Sequence, residues 1–242
     1  MLNWFRKKTP GTNNPILVDI HSHLLPGLDD GVKTFEESLD IIERFVALGY
    51  HKLITTPHVI SDSYRNTTEG ILEKRDALNN YLKTRNITIE IEAAAEYYLD
   101  EDFVRKISAD EQLLTFGRNY LLFETNFMTE PLNLKEFIFL ASTKGYKLVL
   151  AHPERYLFLQ NDFNKAEDLI NRGVLFQLNT SSFTGHYSKE AQRTAQKLVD
   201  RGWVHFLGSD CHMQQHVTLL QQVQANRYYQ KALTLPLLNN TL

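Results

Sequence analysis

The chain has 242 residues, 26 Lys and Arg against 29 Asp and Glu, a formal net charge of −3 and 43% hydrophobic residues. This is the mix of a globular protein long enough to bury a core without staples, and its mild acidity argues against nucleic acid as a partner. The single cysteine excludes an intrachain disulfide and fits a reducing, cytoplasmic compartment, and no run approaches the roughly 18 apolar residues of a membrane span.

Residues 1–15 put Trp4 and Phe5 ahead of Arg6, Lys7 and Lys8, the reverse of a signal peptide's order. Such a patch can touch a membrane surface, but a flexible arm without stable insertion is the expectation. Residues 16–242 are expected as one domain. Seven short β-branched runs follow: Ile16–Ile20, Lys52–Thr56, Ile87–Ala93, Tyr120–Glu124, Lys147–Ala151, Val174–Leu178 and Trp203–Gly208. Four amphipathic helices are predicted between them. Phe35–Leu48 starts at a Thr34/Glu37 capping box and stops at Gly49. Leu134–Lys144 is opened by Asn133, Ala166–Arg172 ends at Gly173, and Lys189–Arg201 runs from Ser188 to Gly202. Ser61–Thr68 reads as polar chain, and Asp100–Arg118 as short helices. A helix, a stop glycine and a buried strand in succession describe βα units of a parallel sheet. Seven such units leave an open doubly wound sheet or a closed α/β barrel, and the first strand runs into His21-Ser22-His23 and not into the glycine-rich turn usual in a nucleotide-binding open sheet.

In parallel α/β folds the chemistry collects beyond the carboxyl ends of the strands. There the chain places His21, His23, Asp29 and Asp30, then His58, Glu96, Glu124, then His152, Glu154 and Arg155, then Asn179, and last Asp210 and His212. His21-x-His23 and Asp210-x-His212 each present two ligands on one side of an extended segment. Glu96 follows three alanines, and a carboxylate desolvated there needs a cation. Imidazole and carboxylate without thiolate favour manganese, iron, zinc or magnesium. The candidates suit two or three such ions. Four carboxylates against three divalent ions leave about two positive charges to attract a phosphate dianion. Cys211 faces away from its neighbours and is expected to pack.

Taken together, His21-Ser22-His23, Leu25 to Gly31, Thr56-Pro57-His58, Ala95-Glu96, Phe123-Glu124, Ala151 to Tyr156 and Ser209 to His212 resemble the polymerase-and-histidinol-phosphatase superfamily. Within it, the chain is most similar to the manganese-dependent bacterial tyrosine-protein phosphatases of capsule and exopolysaccharide biosynthesis operons. The resemblance spans residues 15 to about 215. It implies a distorted (β/α)7 TIM-like barrel with a trinuclear site. His21, His23, Glu96 and Asp210 would hold the first ion. Glu96 would bridge to a second held with Glu124 and His152, and Asp30, His58 and His212 would hold the third, Asp29 being the weaker of its pair. Arg155, Asp210 and His212 would be catalytic, with Arg155 gripping phosphate. The family's arginine a few residues after the Asp-x-His segment is missing here, where Met213 to Val217 includes only His216.

The expected reaction is hydrolysis of a phosphate monoester by a hydroxide drawn from metal-bound water. The implied substrate is phosphotyrosine in the tail of a membrane-bound polysaccharide-export kinase, with Tyr64, Tyr97, Tyr98, Tyr156, Phe183 and Tyr187 as candidates to stack on its ring. Histidinol phosphate or another small phosphoester is the alternative substrate. A non-catalytic module binding a kinase tail is the alternative of another class. An amidohydrolase-like barrel is disfavoured because Glu124, not a lysine, ends the fourth strand. The oligomeric state is left open.

Overall fold

The structure, a computed structural model, describes residues 16–242, so the arm expected at 1–15 lies outside the described residues. In chain order the elements are β1 (Val18–Asp19), α1 (Phe35–Ala47), β2 (Lys52–Thr55), β3 (His58–Val59), α2 (Thr68–Thr84), β4 (Glu90–Ala93), β5 (Glu96–Tyr98) and α3 (Glu101–Ser108). They continue through β6 (Tyr120–Glu124), α4 (Leu134–Thr143), β7 (Lys147–Ala151), α5 (Leu157–Asn161), α6 (Asn164–Asn171), β8 (Leu175–Asn179), α7 (Lys189–Arg201), β9 (Phe206–Gly208), α8 (Gln214–Val223) and α9 (Arg227–Ala232).

Every strand pairing is parallel, in two ladders ordered β1-β2-β4 and β3-β5-β6-β7-β8-β9. The ladders are parts of one barrel. β2 and β3 are a single stave interrupted at Thr56-Pro57, where proline has no N–H to give. β4 and β5 are likewise one stave broken at Ala94-Ala95. Ala94 N still donates to Thr55 O (2.9 Å) and Glu96 N to Pro57 O (3.1 Å) across the breaks. The last gap closes between the first and seventh staves, where Asp210 N donates to His21 O (2.8 Å) and His23 N to Cys211 O (2.9 Å). The result is a distorted (β/α)7 barrel, with all seven predicted runs as its staves.

Alternation along the staves sorts the core. Leu121, Phe123, Leu148 and Leu150 face the helices, while Leu122, Val149, Ala151, Ile20, Ile54 and Phe206 fill the inside. Each large side chain so buried contributes about 1.5–3 kcal/mol.

The helix ends follow their residue types with exceptions. Thr34 caps α1 by accepting from Glu37 N, but Glu37 reaches back to Lys33 N (2.6 Å), one residue before the capping-box partner. Asn133 makes no side-chain cap at α4. α2 was not singled out by the sequence. Its buried residues are only Ile71, Leu78 and Leu82, so its apolar stripe is thin, and it is organised by Thr67, which accepts from Gly70 N (3.1 Å). The segment Asp100–Arg118 holds one helix, α3, capped by Asp100 through Phe103 N (2.8 Å), and then irregular chain rather than several short helices.

Gly208 ends β9 where a Cβ would lie 2.6 Å from Gln177 Nε2 and 2.8 Å from His21 Cβ. Gly208→Ala is therefore expected to destabilise the protein by about 1–3 kcal/mol through overpacking, measured by urea denaturation. A variant as stable as the parent would show that the strand end can shift freely.

Candidate metal centre

The nine predicted ligands come from six of the seven staves and one loop, and they meet at one mouth of the barrel. Strand alternation aims His21 and His23 the same way, as the i, i+2 spacing requires. His21 Nε2 lies 3.2 Å from Glu96 Oε2 and 3.5 Å from Asp210 Oδ1. His23 Nε2 lies 3.3 Å from His21 Nε2 and 3.5 Å from both Glu96 Oε2 and Asp210 Oδ1. Metal–ligand bonds of about 2.0–2.2 Å put tetrahedral neighbours about 3.3–3.6 Å apart. The spacing is that of four donors around one divalent ion.

Glu96 faces the rest of the set with both oxygens. Its Oε1 is 3.1 Å from His152 Nε2, and its Oε2 is 3.1 Å from His58 Nδ1. Glu124 completes this group, 3.1 Å from His58 Nδ1 and 3.9 Å from His152 Nε2. The remaining group is Asp30, His58 and His212, with Asp30 Oδ1 3.3 Å from His212 Nε2 and 3.6 Å from His58 Nε2. His58 thus spans the second and third groups, which the sequence assigned separately. Its Nδ1 and Glu96 Oε2 face each other, yet neither makes a hydrogen bond, although both are buried. Orphaned polar atoms of this kind are costly, and a shared cation would satisfy them. The residues present fit a cluster of divalent ions.

Two candidate ligands hold left-handed backbone, His152 at φ 35° and Asp210 at φ 50°. Each costs about 1–3 kcal/mol, strain of a kind that concentrates at functional sites. Charge balance explains the protonation pattern. Burial pushes the Glu96 and Asp210 carboxyls up, but His21 and the other imidazoles outweigh it and hold both well below the carboxylate range. Burial pushes the His21 imidazole down, but Glu96 and Asp210 raise it to about 9. Burial, with help from Arg155, keeps His152 below its ordinary value.

An outer layer aims these groups. His21 Nδ1 pairs with Gln177 Oε1 (2.7 Å) and His23 Nδ1 with Asp29 Oδ2 (2.7 Å). Asp29 also accepts from Gly31 N and His58 N. It supports the site from behind, whereas its exposed neighbour Asp30 faces the imidazoles. Asp210 Oδ2 accepts from Asn179 Nδ2 (2.7 Å), Tyr187 Oη (3.0 Å) and Arg155 Nη1 (3.1 Å). Arg155 therefore binds Asp210 with one nitrogen and has further N–H groups to offer. Glu154 is buried away from the ligands, accepts from Asn179 N and Ser182 Oγ, and is raised by burial to about 7.

A cleft of about 450 Å³ opens onto the cluster, walled by Ile60, Tyr64, Phe127, Tyr187, His186 and His216. Tyr64 stacks on His58 at 5.7 Å. Of the predicted stacking candidates, Tyr64 and Tyr187 line the cleft. Tyr97, Tyr156 and Phe183 are core residues instead, drawn inward by packing, and Tyr98 stands on β5 outside the lining. His216 is on α8 and also lines the cleft, its Nδ1 3.1 Å from Asp210 O. Gln177 and Phe127 escaped the sequence reading. Gln177 sits two residues before Asn179 on one face of β8, so alternation alone could have found it.

Removing the outer layer should loosen the cluster. Gln177→Leu and Asp29→Asn are each expected to lower divalent-ion affinity roughly 10–100-fold, read by calorimetric titration with Mn2+. Unchanged affinity would reduce both to core residues. In the metal-free protein the raised His21 contributes stability that is complete below about 6.5 and lost as pH rises through about 9. Adding metal at pH 7.5 must displace that proton, so a pH-stat should register acid release. No release would mean that the imidazole does not take up metal.

A family model described as capsular polysaccharide synthesis, CpsB/CapC, matches residues 17–232. The tyrosine-protein phosphatase YwqE of Bacillus subtilis is 27% identical over 196 residues, covering 81% of this chain and 77% of that protein. The tyrosine-protein phosphatase CpsB of Streptococcus pneumoniae is 28% identical over 207 residues, covering 81% and 83%. A solved structure described as YwqE from Bacillus subtilis and CpsB from Streptococcus pneumoniae, unique metal-dependent tyrosine phosphatases, superposes with a TM-score of 0.79. It is 26% identical, with 90% of this chain and 94% of that one covered.

Proposed function

Because the chain belongs to the capsular polysaccharide synthesis CpsB/CapC family, we propose that it is a metal-dependent protein-tyrosine phosphatase. The observation that carries this is the meeting of five imidazoles and four carboxylates at metal-ligand spacing beside an arginine and a cleft with aromatic walls. The ligands are His21, His23, Asp30, His58, Glu96, Glu124, His152, Asp210 and His212, holding two or three ions, manganese first among them. Such ions supply Lewis acidity and lower the pKa of water.

The protein's own groups do the rest. Glu96, with Oε2 toward His21, His23 and His58 and Oε1 toward His152, would hold ions on both sides of the cluster. Arg155 stands at the cleft wall with N–H groups free of Asp210, suited to non-bridging phosphate oxygens. Tyr64, Phe127 and Tyr187 give the cleft aromatic walls that suit a phenyl ring, Phe127 and Tyr187 also flanking the Arg155 guanidinium. The leaving phenol ionises near pH 10, so a strong general acid is less needed than for an alkyl ester. Cys211 is buried with its thiol pushed well above its ordinary value, first by burial, which argues against thiolate chemistry.

The substrate in this reading is a phosphotyrosine tail on a membrane-bound kinase of polysaccharide export, met from the cytoplasm. No helix among the described residues is long and apolar enough to cross a membrane.

His21→Ala and Asp210→Ala should abolish phosphate release from a phosphotyrosyl peptide in the Mn2+-loaded protein while circular dichroism stays unchanged. Full activity in both would sink the assignment. Arg155→Ala should chiefly raise KM, and Cys211→Ser should be nearly silent in the same assay.

A further inference from the structure

Asp210 divides its work between two oxygens. Oδ1 faces His21, His23 and His212 at 3.4–3.5 Å. Oδ2 faces away and takes three donors, from Asn179, Tyr187 and Arg155. Tyr187 is central to this second set. Its hydroxyl donates to Asp210 Oδ2 and accepts from Asn179 Nδ2 (3.0 Å). Its ring lies 4.3 Å from the Arg155 guanidinium carbon, while Phe127 covers the guanidinium at 4.7 Å. One side chain thus touches the carboxylate on the ion side and the arginine on the phosphate side.

We propose that Tyr187 is a positioning residue that fixes Asp210 for its ion through the hydroxyl and Arg155 for phosphate through the ring. This rests on Asp210 being a metal ligand and Arg155 a phosphate contact. The hydroxyl supplies a fixed donor that keeps Oδ2 from turning toward the ions, as outer partners of metal carboxylates do. The ring forms a slot with Phe127 that holds the guanidinium plane, a cation–π contact strengthened by desolvation. Without the slot, Arg155 would be held only through Nη1 on Asp210, its guanidinium plane free to turn, while Asn179 still held Asp210. The two halves of the residue therefore serve different steps and can be separated by substitution.

Tyr187→Phe keeps the ring and loses the hydroxyl, and Tyr187→Leu loses both. Each full-length variant is titrated with Mn2+, then the Mn2+-loaded protein with inorganic phosphate, by calorimetry, alongside kcat and KM for a phosphotyrosyl peptide. Tyr187→Phe is expected to weaken Mn2+ roughly tenfold and leave phosphate affinity unchanged. Tyr187→Leu is expected to weaken phosphate roughly tenfold further and raise KM to match. If Tyr187→Leu fails to fold, Phe127→Leu opens the slot from its other side and should weaken phosphate alike. Parental Mn2+ affinity in Tyr187→Phe, or parental phosphate affinity in the slot variants, would overturn the proposal. Absence of peptide turnover in the parent would instead overturn the phosphatase reading, while the two binding titrations would still decide the role of Tyr187.

Discussion

Two carboxylates with almost no contact with water, Glu96 and Asp210, lie against a ring of imidazoles at the barrel mouth. Isolated charges in such a place are prohibitive, so the surrounding chain is arranged to bring positive charge to them. Small residues make the room. Ala94 and Ala95 precede Glu96, Gly208 lets His21 pass, and Gly31 backs onto the His23 carbonyl. The cluster is assembled by packing constraints on residues that carry no charge themselves.

The outer layer extends the same logic. Gln177 and Asn179 share a face of β8, so one strand orients His21 and Asp210 together. Asp29 ties His23 to the backbone of the His58 segment. Because the contacts of Gln177, of Asn179 and of Asp29 with His58 link different staves, the aim of these candidate ligands depends on barrel geometry. The breaks at Thr56-Pro57 and Ala94-Ala95 fall immediately before His58 and Glu96.

Much of this was legible in the sequence, for identifiable reasons. The staves at Tyr120–Glu124 and Lys147–Ala151 were read to the residue, because fully buried parallel strands are continuous apolar runs. α7 was read to the residue because Ser188 and Gly202 punctuate it. α2 was missed because its buried stripe is only three residues in seventeen. The candidate ligands were legible as polar residues after strands. Which imidazole faces which carboxylate was not, since His58 uses both ring nitrogens toward different neighbours. Nor could periodicity distinguish Tyr187, which lines the cleft, from Tyr156, which packs in the core.

The seam between the first and seventh staves is laced by the backbone of the ligand segments themselves, His21 and His23 on one side and Asp210 and Cys211 on the other. Those segments are separated by nearly the whole described chain. A divalent ion held between their side chains, as proposed above, would act as a buckle on a belt: closing so long a loop carries an entropic cost that grows only slowly with its length, and the ion would supply the clasp. The fold and its chemistry would then be fastened at the same point, and whatever drew the ions out would also slacken the hoop.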